Sequence, residues 1–150
     1  MIKKFILLLI LTTSCKSQNV TLNNNNNNNG DTVIWSVIFG DRFKESYADL
    51  LLNEQEIIKN VYLNSDESDG VTNVWVKILQ EKENYYISTS QDKTFKAIDL
   101  KIDEIALNVI YKGIDEKFRF KKENGRFLVI SDDGEGKIII LQSKKQPIFD

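Results

Sequence analysis

From residue 71 onward, apolar and polar residues alternate with a period of two, whereas before it the apolar residues recur at helical spacing. The alternation is clearest where Ile98, Leu100 and Ile102 interleave with Asp99, Lys101 and Asp103, the pattern of a half-buried strand. Residues 71–79, which include Trp75, and residues 85–89, after the EKEN turn at 81–84, predict two earlier strands. Residues 105–111, 118–121, 127–131 and 137–142 predict four more. Turn chemistry separates them. Lys112-Gly113 with Asp115 marks one turn, Glu123-Asn124-Gly125 gives a hairpin signal, and residues 132–136 (DDGEG) mark another.

The first third reads differently. Residues 32–39 (TVIWSVIF) are apolar nearly throughout and fit either a buried strand or the opening of a helix. Beyond Gly40 and Asp41, Phe43, Tyr47, Leu50 and Leu51 recur at i, i+4, i+7 and i+8, a helical stripe. Asn53 followed by Glu56 has the form of a capping box for a second short helix, with Ile57, Ile58 and Val61 as its inner face. Residues 64–70 (NSDESDG) end that pattern. The expected fold class is therefore α+β: N-terminal helices followed by a curved antiparallel β-meander of six or seven strands. The alternative is a small closed β-barrel, which would remove exposed edge strands. The order of helices and strands loosely resembles the cystatin-like or NTF2-like cone.

Two lysines, Lys3 and Lys4, precede an apolar run, residues 5–11 (FILLLIL), then Thr12-Thr13-Ser14 and the chain's one cysteine, Cys15. The apolar run is far shorter than the roughly 20 residues a spanning helix requires. The order of charge, apolar core and small residues is that of a secretory signal. Ending at a cysteine, it resembles the signal peptide of a bacterial lipoprotein, with Thr12 where the family usually carries leucine. The resemblance covers residues 1–15. It implies that Cys15 is lipidated and becomes the first residue of the mature chain, anchored by acyl chains. It also implies residence in the bacterial cell envelope, expected on the periplasm-facing side of the outer membrane. Residues 16–30, with seven asparagines at 23–29, have no apolar face and read as a flexible linker. A coil of about 15 residues spans roughly 20 Å between its ends. Residues 31–150 read as a single α+β domain, long enough to bury a core of its own.

Charge and chemistry narrow the function classes. The chain has 22 acids against 20 bases and no histidine, a formal net charge of −2. No large basic patch is visible, so nucleic acid is not an expected partner. Without histidine, neither a Ser-His-Asp nor a Cys-His constellation exists, and the commonest metal ligand is missing. No P-loop, dinucleotide fingerprint or zinc spacing occurs, so no cofactor and no metal is expected. After signal removal no cysteine is left to form a disulfide. Two acidic loops offer oxygen donors of the kind calcium takes: Ser65, Glu67 and Asp69 before Gly70, and residues 132–136. The first lacks the opening Asp of an EF-hand loop and has Val76 where its closing Glu belongs, and the second has the composition of a hairpin turn. Trp35, Trp75, Tyr85, Tyr86 and Tyr111 are the candidates to line a cleft. Tyr85 and Tyr86, as strand neighbours, face opposite sides.

The expected function is a non-catalytic protein- or ligand-binding domain of an envelope lipoprotein, held to the membrane by lipid on Cys15, with an envelope protein as partner. Two alternatives stand beside it: a carboxylate-dependent hydrolase acting on envelope glycans, and an inhibitor or immunity-type protein that neutralises a basic enzyme. Nothing in the sequence sets the oligomeric state.

Overall fold

The computed structural model describes residues 32–65, 70–93, 96–97 and 99–148. They form ten strands: β1 (Thr32–Phe39), β2 (Ser46–Leu52), β3 (Gln55–Leu63), β4 (Trp75–Glu81), β5 (Asn84–Thr89), β6 (Lys96–Ala97), β7 (Glu104–Tyr111), β8 (Ile114–Lys121), β9 (Phe127–Asp132) and β10 (Ile138–Ser143). Among the described residues the only helical turn is a 3-10 turn, Lys122–Asn124. A six-stranded sheet has the order β10-β9-β1-β4-β5-β6, and a four-stranded sheet the order β3-β2-β7-β8. One apolar cluster joins them, with Trp35, Val37, Phe39, Ile78 and Ile130 from the first sheet meeting Leu50, Ile58, Ile105, Leu107 and Val109 from the second. The architecture is an all-β sandwich.

This overturns the α+β expectation. Neither N-terminal helix exists among the described residues. The apparent stripe over 43–51 is a connection followed by β2, whose buried residues are Ser46, Ala48, Leu50 and Leu52 at strict period two. The first two are small, so the alternation is masked by the coincidental i, i+4, i+7 spacing of Phe43, Tyr47 and Leu50. The supposed capping box is a tight hairpin turn. Asn53 and Glu54 both have positive φ, 47° and 69°, as a two-residue turn between twisted strands requires. The triplet spacing of Ile58 and Val61 comes from a bulge in β3. Asn60 has φ 48°, and its N–H donates to Asp49 Oδ1 at 2.6 Å. A bulge inserts one residue into a period of two, and the result imitates a helix.

The meander and the closed barrel also fall. β1 lies between β4, antiparallel, and β9, parallel, so the last part of the chain returns beside the first. The Glu123-Asn124-Gly125 segment is a crossover between sheets, not a hairpin. Gly125 is required there because a Cβ would lie 2.3 Å from the backbone of Ser143. Residues 99–103 form no strand. Leu100 and Ile102 pack against the core from a loop, and the Ile102 carbonyl accepts from Trp35 Nε1 at 3.0 Å. Ile98 lies outside the described residues. The sheets are not joined by a backbone ladder where β8 and β10 approach. Side chains bridge them instead: Ile138 N–H donates to Glu116 Oε2 at 3.0 Å, and Gln142 Nε2 donates to the Lys121 carbonyl at 2.7 Å.

β5, β7, β9 and β10 lie where alternation predicts them, whereas β8 starts at Ile114, so that Asp115 is in the strand and not in the turn, and β4 starts at Trp75 and not at residue 71. β1 is a strand, paired along both edges by β4 and β9 and buried from Ile34 to Phe39.

Candidate ligand-binding face

The pleat sends alternate residues of the four-stranded sheet away from the core. Outward positions include Tyr47, Asp49 and Leu51 of β2, and Ala106, Asn108 and Ile110 of β7. Register aligns Leu51 with Asn108 and Asn108 with Lys117 across three strands. It also sets Tyr47 opposite Tyr62. Their rings stand 5.4 Å apart at 60°. Tyr47 is 55% and Tyr62 49% exposed, a large aromatic area left to solvent.

On the same face, toward the other end of β2, lies a cleft of about 470 Å³ lined by Leu51, Glu54, Ala106, Asn108, Lys117 and Arg119. It adjoins a second hollow of about 650 Å³, where Asn53, Asp99, Lys101 and Glu104 join Glu54, Ala106 and Arg119. The hairpin turn at Asn53-Glu54 builds one wall. Asn53 Oδ1 accepts from the Ala106 N–H at 2.9 Å and fixes the turn against β7. Both charge signs are present, and Arg119 Nη1 pairs with Glu104 Oε1 at 3.4 Å. The three carboxylates, Glu54, Asp99 and Glu104, are all exposed. Asn108 differs from its neighbours. Its Oδ1 is buried without a hydrogen-bond partner, a state that costs about 1–3 kcal/mol.

A second cluster ties the two sheets together. Asp132 is buried at the end of β9. Its Oδ2 accepts from the Tyr111 hydroxyl at 2.7 Å and from Lys112 Nζ at 3.1 Å. Its Oδ1 accepts from the amides of Gly134 at 2.8 Å and Gly136 at 3.0 Å. Burial alone would raise the Asp132 carboxyl. The Tyr111 hydroxyl, the two amides and the Lys112 ammonium outweigh it and lower the pKa to about 2. Lys112 is held above its ordinary value by its contacts with Tyr111 and with Asp132. A carboxylate saturated by four donors neither gives nor takes a proton near neutrality, so this cluster fastens the fold.

The candidates named from sequence scatter across the fold. Cys15 and the linker at 16–30 lie outside the described residues. So do Glu67 and Asp69 of the first acidic loop. Ser65 engages its hydroxyl internally, donating to the Gly40 carbonyl at 2.9 Å and accepting from Phe43 N–H at 3.0 Å. The second acidic loop wraps Asp132 with backbone amides. Among the described residues no group of three histidine, cysteine or acidic side chains is placed to hold a metal ion. The five aromatic candidates do not share a cleft. Trp35 and Tyr111 are in the core, and Tyr85 packs against it. Tyr86 and Trp75 stand on the outward face of the other sheet, as their pairings with Leu79 and Ile38 require. Tyr47, Tyr62 and Asn108 escape a reading of the sequence as candidates. The alternation through Ser46, Ala48, Leu50 and Leu52 is the signal that would have put Tyr47 outside.

No family model matches this chain, and no curated protein or solved structure matches it either.

Proposed function

We propose that this protein is a non-catalytic binding domain, held to a bacterial envelope membrane through lipid on Cys15, and that the outward face of its four-stranded sheet is the binding surface. The observation that carries the binding reading is the exposed Tyr47–Tyr62 pair, on the same sheet face as a cleft bearing both charge signs. Aromatic area that stays accessible at little entropic cost is characteristic of binding surfaces. The envelope location rests on residues 1–15 alone.

The two parts are tested separately. Intact mass of the membrane-extracted protein reports the anchor. A chain starting at Cys15 with acyl mass, lost in Cys15→Ala, supports it, and an unmodified chain overturns it. For the binding face, a photo-crosslinking phenylalanine replaces Tyr47 in cells, with the same residue at Ile114 on the far strand as control. A discrete adduct from position 47 but not 114 supports the reading. Equal adducts from both positions, or none from 47, overturn it.

A further inference from the structure

The outward face of the six-stranded sheet carries an apolar row that is exposed at its β10 edge and half-buried at Val129 and Trp75. Register places Leu141, Val129, Ile38 and Trp75 in one row across β10, β9, β1 and β4, a width of about 14 Å at the usual strand spacing. Leu141 is 67% exposed and Ile139, beside it, 48%. Ile38 and Phe127 belong to this face and not to the interior cluster, and both are themselves buried. Two cations lie flat on it. Lys77 Nζ sits 5.3 Å from the Trp75 ring and Arg126 Cζ 5.1 Å from the Phe127 ring. Among the outward positions of β1, β4, β9 and β10 there is one acid, Glu81, at the end of β4. With Lys77 and Arg126 against Glu81, the charges counted on this face sum to +1, in a chain whose formal net charge is −2.

We propose that this face rests on an anionic lipid surface, with Leu141, Ile139 and Trp75 entering the interfacial layer and Lys77 and Arg126 meeting headgroup phosphates. Tryptophan and basic residues around an apolar patch are the set that favours such an interface. β9, β1 and β4 are paired on both sides, so their backbone brings no unpaired N–H or C=O into the low-dielectric layer. A second copy packed on this face would set Lys77 and Arg126 against the same cations, which disfavours self-association. The choice of lipid rests on the reading of Cys15 as the anchor. Sixteen residues separate Cys15 from Thr32, so even an extended chain keeps the domain within about 60 Å of its lipid. Docked this way, the sandwich turns the Tyr47–Tyr62 face away from the membrane.

The test uses the full chain carrying Cys15→Ala, which is unlipidated, with vesicles of phosphatidylcholine alone or mixed with phosphatidylglycerol, each containing brominated lipid. The chain has two tryptophans, and Trp35 is fully buried in the core, so quenching by bromine reports Trp75. Expected are quenching that depends on phosphatidylglycerol, its disappearance in Trp75→Phe, and binding about fivefold weaker in Lys77→Gln or Arg126→Gln. Sedimentation with vesicles through the apolar residues 5–11 but without quenching overturns the proposal. Equal quenching on neutral vesicles, or a dimer that shields Trp75 in their place, also overturns it. The mass measurement at Cys15 decides the anchor independently, so failure of either reading is visible apart from the other.

Discussion

The hydroxyl of Tyr111, on the four-stranded sheet, donates at 2.7 Å to the buried carboxylate of Asp132, on the six-stranded sheet. This bond makes the sandwich sensitive to acid. The folded-state pKa of Asp132 is about 2 against an ordinary 3.8, so the native state holds the ionised form more tightly than the unfolded chain does. Its contribution is complete above the unfolded value and is lost as pH falls from about 4 to about 2, a loss of about 2 kcal/mol. Urea midpoints followed across that window should fall for the native sequence. Asp132→Asn should start lower at neutral pH and fall less steeply. Parallel curves for the two proteins would refute the assignment.

Asn108 gives a prediction of opposite sign. Its buried Oδ1 has no partner, and it sits mid-strand between Leu51 and Lys117. Valine suits a strand and leaves no orphan acceptor. Asn108→Val should therefore stabilise the fold by about 1 kcal/mol in urea denaturation, while weakening whatever occupies the cleft. A destabilised variant would mean that the amide is satisfied in solution.

What the sequence could and could not disclose follows the same local physics. Strands with large apolar residues at every second position, such as Ile105, Leu107, Val109 and Tyr111, were legible because one face is wholly buried. β2 was not, because its buried positions begin with Ser46 and Ala48. β3 was not, because the bulge at Asn60 shifts its phase. The parallel pairing of β1 with β9 is non-local and leaves no mark on either segment. The proposed binding face follows from β2. Once Tyr47 is placed on a helical stripe it looks buried, and its pairing with Tyr62 cannot be inferred. The Asp132 cluster was visible only as a turn, since its partners are drawn from β7 and the following hairpin turn by the packing of the two sheets.

The edge of β10 carries the last prediction. Backbone amides along a strand point alternately to its two sides. The Lys137 carbonyl accepts from the Asp133 N–H, so Ile138, and with it Ile140 and Gln142, turn their amides away from β9. On that side Glu116 Oε2 takes the Ile138 N–H. Gln142 reaches over with its side-chain amide to the carbonyls of Lys121 and Gly125, each at 2.7 Å. Such edges template pairing with other chains unless they are covered, and this one carries exposed Ile139 and Leu141. Glu116→Ala removes the acceptor and places no side chain over the edge. It should cost about 1 kcal/mol and raise the weight-average mass in sedimentation velocity relative to the unaltered chain. Glu116→Gln keeps an oxygen for the Ile138 N–H and should sediment as the unaltered chain does. If charge rather than hydrogen bonding protects the edge, the two variants will associate alike, and the protective role of the Glu116 oxygen fails.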